Sequence, residues 1–450
     1  MSLAAVDRIP LAAGARPLVG HGLELFRNPV GLLSALAKQG PLCRIRVGPQ
    51  HIVIATDIAA AWQVYRDDRT FDKGGPFYDR AREIAGNGLG TCSYSAHRRQ
   101  RRLCQPAFKA DRVGAYSHLM TGPIEEMAAG WTDGQTIDIG AELSAMTFAI
   151  ITRTMFSTSL SENVTRQLSA DLQALGSGLF RRMILPPALT RLPVPPNRRY
   201  AEAAQRMRRT ASEVIADRLH SGEDRGDLMS ALLQASASDQ QDGWLSDDEL
   251  IDQIFTFFLA GADTTAGTMA WALRLLDQHP EVRHRVHKEV DQVLDGKTPV
   301  TQQVLADLPE LHRVIAETLR LYPPAWLVTR LVTTDTDLAG YRLPPGTAVA
   351  LSPYTIHRDP HHYPSPDEFV PDRWRDTEPG SGTYLPFGAG ARNCIGERFG
   401  LLEVAMTLAT VTRRWRLAAT SRPGAVTLAQ IHAPKGLRMR ATRRANHSTT

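Results

Sequence analysis

The stretch Phe387-Gly388-Ala389-Gly390-Ala391-Arg392-Asn393-Cys394-Ile395-Gly396 sets one cysteine at the end of a glycine-rich loop, just before a segment that reads as a helix. A free cysteine has a pKa of about 8.5, so its thiolate needs help at neutral pH. Arg392 supplies positive charge two residues away, and N–H groups at the following helix start can point at the sulfur. The glycines let the main chain approach closely and take up positive φ. This is the local chemistry that holds a thiolate against a metal, and a fold carrying it must bring that loop to one. Two blander readings compete. A dinucleotide loop fails, because Asn393 stands where the third glycine of G-x-G-x-x-G belongs. An inert buried thiol is the common fate of a lone cysteine.

The 450 residues contain no evident linker. The Pro-rich pieces, Leu185-Pro186-Pro187 and Leu192-Pro193-Val194-Pro195-Pro196, are short and flanked by apolar sequence, so residues 1–450 read as a single domain with a substantial core. Residues 1–20 and 443–450 are expected to be loosely ordered. The net charge of +5 does not by itself call for nucleic acid. Cys43, Cys92, Cys104 and Cys394 lack metal-finger spacing, and a reduced, cytoplasmic setting is the natural reading. Met1 to Gly22 has no long apolar run and carries Asp7, Arg8 and Arg16, so neither a signal peptide nor a membrane anchor is expected.

Helical periodicity dominates, giving a mainly α chain with small β-sheets. Strand-like pieces fall at Cys43 to Val47, His51 to Ala55, Leu327 to Thr333, Ala348 to Leu351, near Leu428, and at Leu437 to Arg440. Ser246-Asp247-Asp248-Glu249 is a capping box opening a helix that is strongly apolar from Leu250 through Leu275. Within it lies Ala260-Gly261-Ala262-Asp263-Thr264-Thr265. Small residues there leave room for something against the backbone, while an acid beside a hydroxyl is unfavourable in a core without partners. Asp263 and Thr264 could simply kink the helix, since Thr bonds back to the preceding turn.

The loop pattern Phe-x-x-Gly-x-Arg-x-Cys-x-Gly resembles the haem-binding loop of the cytochrome P450 monooxygenases. The resemblance extends in order through the Ala260 to Thr264 segment, Glu317-Thr318-Leu319-Arg320, and Pro366-x-x-Phe369-x-Pro371-x-Arg373-Trp374. It implies one P450-type domain, with haem b between the long central helix and the helix after the cysteine. Cys394 is then the axial thiolate and metal ligand, pushing electron density toward iron and favouring O–O cleavage. Phe387, Gly396, Ala260 and Gly261 would border the cofactor. Asp263 and Thr264 would deliver protons to oxygen, since O–O heterolysis consumes two. Glu317, Arg320 and Arg373 would form a buried network that fixes the cysteine loop, a carboxylate between two guanidiniums.

By the same resemblance His97, Arg101, Arg330 and Arg392 match partners of the haem propionates. The family more often has Trp at His97. Arg98, Arg99 and Arg102 read as a solvated basic face that could dock an electron donor. Gly400 stands where the family usually has Ala, which suggests looser packing behind the haem. Electrons would come from NAD(P)H through a separate ferredoxin or flavodoxin and its reductase, because no flavin or iron–sulfur pattern is present. The chain is expected to be a monomer of the soluble bacterial type. By family position the substrate pocket draws on Phe77, Tyr78, Leu179, Phe180, Phe257, Trp326, Leu327, Val328 and Ile431, and His432 could face it. No charged anchor stands among those pocket positions, which favours a compact hydrophobic substrate. Leu192 to Arg199, with Arg181-Arg182 before it, resembles the region of bacterial sesquiterpene oxidases, so the expected reaction is terpene hydroxylation. The alternatives are a fatty acid or steroid hydroxylase, or a non-enzymatic haem or terpene binder. A peroxide-using hydroxylase usually lacks the acid–alcohol pair. A cyclase would need an Asp-rich diphosphate site, and Asp247-Asp248-Glu249 is explained by the helix start.

Overall fold

Ser246 opens a 32-residue helix, Asp247–Gln278, by reciprocal capping. Its hydroxyl accepts the Glu249 N–H, and the Glu249 carboxylate accepts the Ser246 N–H. The computed structural model describes residues 6–156, 162–184, 187–238, 245–294, 299–377, 379, 382–420, 433–434 and 436–444. Phe255 and Phe258 of this central helix are fully buried, and Phe258 meets Phe148 and Phe156 with ring centroids 5.7 Å apart. Those two belong to the helix Ile139–Phe156. The helix Glu397–Arg414, which follows the cysteine, also packs on the central helix.

Contacts group the chain into two compact units. One holds Met1–Phe77, Arg313–Cys394 and Gly424–Lys435; the other holds Tyr78–His312, Ile395–Pro423 and Gly436–Thr450. Each is assembled from separated stretches, so no linker marks the division in the sequence.

Ten strands are described: β1 (Leu42–Val47), β2 (Gln50–Ala55), β3 (Phe71–Asp72), β4 (Thr136–Asp138), β5 (Val328–Val332), β6 (Thr336–Leu338), β7 (Tyr341–Leu343), β8 (Ala348–Leu351), β9 (Trp415–Ala419) and β10 (Arg438–Arg443). In the first unit a five-stranded sheet runs β1-β2-β8-β5-β3, beside a β6-β7 hairpin. β1 and β2 are antiparallel with Leu42 opposite Ala55, and β2 runs parallel to β8 with Ile52 opposite Ala348. Side chains alternate between faces along a strand. Leu42, Val53 and Ala55 join one apolar cluster and Cys43, Ile45 and Ile54 another, so both faces of this sheet are covered. The expectation of a loose segment over residues 1–20 fails from Val6 onward. Val6 and Ile9 are buried in the first of these clusters, and Ala12 bonds to Arg44.

In the second unit β4, β10 and β9 make a small antiparallel sheet. β10 runs to Arg443, three residues past the expected strand end at Arg440. The strand expected near Leu428 lies outside the described residues.

Candidate functional site

Of the four cysteines, Cys43, Cys92 and Cys104 are buried and Cys394 is exposed. Burial pushes the Cys104 thiol up to about 12, so it stays protonated. Cys394 sits at the end of a loop closed by its own N–H, which donates to the Phe387 carbonyl at 2.9 Å. Gly388 and Gly390 take φ of +71° and +68°. A Cβ on Gly390 would lie 2.2 Å from the Tyr65 carbonyl oxygen, so only glycine fits against the end of the helix Ile58–Arg66.

The Arg392 side chain is buried, 1% exposed, and makes two ion pairs within this unit. Its Nε donates to Asp68 at 2.8 Å, and its Nη2 donates to Asp72 at 2.8 Å. The positive charge that the sequence offers the thiolate is therefore shared by two carboxylates. Nothing in the sequence pattern links Asp68 or Asp72 to this loop.

The structure brings Glu317, Arg320 and Arg373 together. Glu317 and Arg320 lie on the helix Pro309–Leu321 and are fully buried. The Glu317 carboxylate accepts from Arg320 Nε and Nη2 at 2.9 Å each, Arg373 Nε at 3.0 Å, the Val370 N–H at 3.0 Å and Trp374 Nε1 at 2.9 Å. Arg320 also donates to the carbonyls of His357, Pro366 and Glu368. Sequence reasoning missed His357. It is fully buried and bridges the Arg320 carbonyl, through Nδ1 at 3.0 Å, to the Leu385 N–H, through Nε2 at 2.7 Å. An acceptor at Nε2 requires the neutral Nδ1–H tautomer. Desolvation lowers its pKa to about 3, in agreement. The polar network thus reaches from Glu317 to a point two residues before Phe387. Arg330, on β5, is buried and donates to the Thr329 carbonyl at 2.8 Å.

In the second unit the central helix changes character halfway. Ile254 to Phe258 and Thr265 to Leu273 are buried, but Ala260 and Asp263 are exposed, and Gly261 and Thr264 are half-buried. The carbonyls here take extra bonds. Thr264 Oγ1 donates to Ala260 at 2.7 Å, Thr265 Oγ1 to Gly261 at 2.9 Å, and Thr147 Oγ1 to Ala262 at 2.9 Å. The back-bonding of the blander reading is present. It spends the Thr264 proton on the turn below and leaves its oxygen to act as an acceptor. Asp263 reaches solvent, yet enough protein surrounds its carboxyl that desolvation raises its pKa. Gly176, on the helix Glu162–Ile184, leaves room beside it: a Cβ there would lie 4.0 Å from Asp263 Oδ2.

Glu403 was also missed. It sits in the helix Glu397–Arg414, fully buried, hydrogen-bonded to Thr265, with Oε1 lacking any partner. Desolvation raises its pKa well above the ordinary 4.5, which favours the neutral acid, and Thr265 works weakly the other way. A single acid inside the apolar run Leu401-Leu402-Glu403-Val404-Ala405-Met406 was the signal that could have found it. Gly400 does not loosen this packing. A Cβ there would come 3.3 Å from Thr265 Cγ2, so glycine lets the two helices approach closely.

His97 and Arg101 lie on the helix Tyr94–Cys104, His97 buried and Arg101 half-buried. Arg98 and Arg102 are exposed. Arg99 corrects the solvated reading: it pairs with Glu249 at 2.5 Å. Desolvation works to raise the Glu249 pKa, but bonds from Arg99 and Ser246 outweigh it and lower it.

The named pocket residues are dispersed in role. In the first unit Trp326 is buried among Leu32, Leu33, Leu36 and Ala350, which makes it core, while Leu327, Val328 and Phe77 are half-buried. In the second unit Tyr78, Leu179 and Phe257 are buried, and Phe257 meets Phe108 edge-on at 5.1 Å. The Phe180 side chain, Ile431 and His432 lie outside what is described. Among the described residues no helix is long and apolar enough to cross a membrane.

Comparison with known proteins adds to this geometry. Pentalenene oxygenase from Streptomyces avermitilis is 42% identical over 443 residues, covering 96% of this chain and 97% of its own. Cyclooctatin synthase from Streptomyces melanosporofaciens is 41% identical, covering 91% and 90%. The crystal structure of the cytochrome P450DA haem domain superposes with a TM-score of 0.87 at 26% identity, covering 98% of both chains. The sequence pattern of the family described as Cytochrome P450 matches residues 10–427, and the chain belongs to that family.

Proposed function

We propose that this cytochrome P450 monooxygenase hydroxylates a terpene, with Cys394 as the haem ligand and Asp263 and Thr264 handling protons. The observation that carries the ligand assignment is exposure: Cys394 alone of the four cysteines is exposed, on a loop braced by Gly390 against Tyr65. The donor set suits a haem thiolate. One sulfur stands on a rigid loop, and small residues with an acid and a hydroxyl interrupt a buried helix. When bound, haem with a thiolate ligand supplies oxygen activation, using electrons that the family draws from NAD(P)H through redox partners.

The protein's own contribution is positional. The Glu317 network and His357 hold the loop ahead of the cysteine. Thr264 offers an acceptor oxygen at the centre of the helix. Asp263, raised in pKa and open to solvent, can take a proton from water and pass it inward. His97, Arg101, Arg330 and Arg392 are the proposed propionate partners. A ferredoxin or flavodoxin, docking over a basic face that includes Arg98 and Arg102, is the proposed donor.

Two things support a terpene substrate. The relatives named for pentalenene and for cyclooctat-9-en-7-ol are about 40% identical over nearly the whole chain, and these are terpene-modifying enzymes. Tyr78, Leu179 and Phe257 offer no charged anchor. The test is an optical titration of the ferric protein with sesquiterpenes, fatty acids and steroids. A saturable high-spin shift with a sesquiterpene alone is expected. A shift with fatty acids or steroids only would remove the terpene assignment.

A further inference from the structure

Asp68 and Asp72 lie in Asp67-Asp68-Arg69-Thr70-Phe71-Asp72, and they meet the cysteine loop 324 and 320 residues further along the chain. We infer that these two aspartates are positioning residues for the Cys394 loop, fixing the Arg392 guanidinium and offsetting its charge two residues ahead of the sulfur. The inference rests on the reading of Cys394 as the haem ligand.

The geometry of the contact is selective. Nε and Nη2 lie on one edge of a guanidinium, and that edge could have taken a single carboxylate in a bidentate pair. Here each nitrogen goes to a different carboxylate, so two fixed points set the rotation of the whole group. Both points are themselves anchored. Asp67 accepts the Thr70 N–H at 3.0 Å, which holds the turn carrying Asp68. The backbone of Asp72 lies in β3, paired with Leu331 of β5, and its Oδ1 also accepts the Lys73 N–H at 2.7 Å. The loop is thus clipped to one platform at two places, by Tyr65 under Gly390 and by the aspartates on Arg392. With side chains 1%, 14% and 13% exposed, the three charges interact with less screening than a surface pair would.

Charge and geometry separate cleanly by substitution. Asp68→Asn and Asp72→Asn each keep an oxygen acceptor and remove one negative charge. Loss of a negative charge near the iron favours the reduced state. In the haem-loaded enzyme, the midpoint potential should rise in each single variant and further in the double variant. Asp72→Glu, which keeps the charge, should return to the parent value. Arg392→Lys keeps the cation but cannot span both carboxylates. It should enlarge the fraction of the reduced carbon monoxide complex that lacks the red-shifted, thiolate-type Soret band. Parent-like potentials in all three Asn variants, with the thiolate-type band intact in Arg392→Lys, would overturn the inference. A potential displaced equally in Asp72→Glu would overturn the charge role. The parent's own spectrum separates the two readings. Absence of the thiolate-type band there removes the Cys394 assignment, whereas a parent with the band and unmoved variants removes only the aspartate latch.

Discussion

Glu317→Gln tests the buried network most sharply, because the substitution changes one atom and one charge. The carboxylate receives five hydrogen bonds, three on Oε1 and two on Oε2. Glutamine must put its amide nitrogen in one of those places. The less costly choice is the Oε2 position, where the new N–H groups face Arg320 Nε and Trp374 Nε1, both donors. Each buried donor left without an acceptor costs about 1–3 kcal/mol. Removing one partner of a buried ion pair costs about 3–5 kcal/mol in measured cases. The two routes overlap, and the expected loss is about 3–5 kcal/mol. The assay is equilibrium urea unfolding of parent and variant, compared at equal slope. Trp374→Phe removes one of the two opposed donors. The double variant Glu317→Gln with Trp374→Phe should therefore be less destabilised than the sum of the singles. A Glu317→Gln variant within about 1 kcal/mol of the parent would refute the reasoning, since two buried donors cannot lose their acceptor so cheaply.

Other expectations follow from the same geometry. Glu403→Gln should leave stability at neutral pH equal to or above the parent's, because only the parent must keep an acid protonated there, and a large loss would mean the acid is ionised in the fold. Its raised folded-state pKa also makes parent stability fall as pH climbs above the ordinary value of 4.5, and the glutamine variant should lack that slope. His357 acts with the opposite sign. Its pKa is depressed from 6.5 to about 3, so its contribution is present above pH 6.5 and is lost as pH falls toward 3. The slope is up to about 1.4 kcal/mol per pH unit, and a His357→Gln variant with the parent's pH dependence would contradict it. Thr264→Ala should consume NAD(P)H without a matching yield of hydroxylated product. Unchanged coupling between the two would take Thr264 out of proton handling.

What could be read from the sequence was what is local. The capping box at Ser246 and Glu249 lies within four residues, and β2 and β8 have the β-branched and apolar runs that mark covered strands. β3 and β4 span two and three residues, too short for any period, and exist only because longer strands offer them an edge. At the candidate site, the cysteine loop and the Asp263-Thr264 pair are contiguous motifs. His357 and the aspartates on Arg392 act across tens to hundreds of residues, through bonds that carry no spacing rule. Gly400 shows the limit of reasoning from a replaced residue. The missing methyl reads as lost packing in sequence, yet the space it vacates is filled by the approach of Thr265.

The parallel pairing of β2 with β8 carries a consequence for synthesis of the chain. Ile52 leaves the ribosome just after its hairpin partner, Ile45, but its other neighbour, Ala348, follows only after roughly three hundred more residues. At about 5–20 residues per second, that interval is about 15–60 s. Throughout it the β1–β2 hairpin presents an unpaired apolar edge, the kind of surface that seeks any strand in reach. Yield in cells should therefore respond to translation speed and chaperone supply before it responds to the stability of the finished fold.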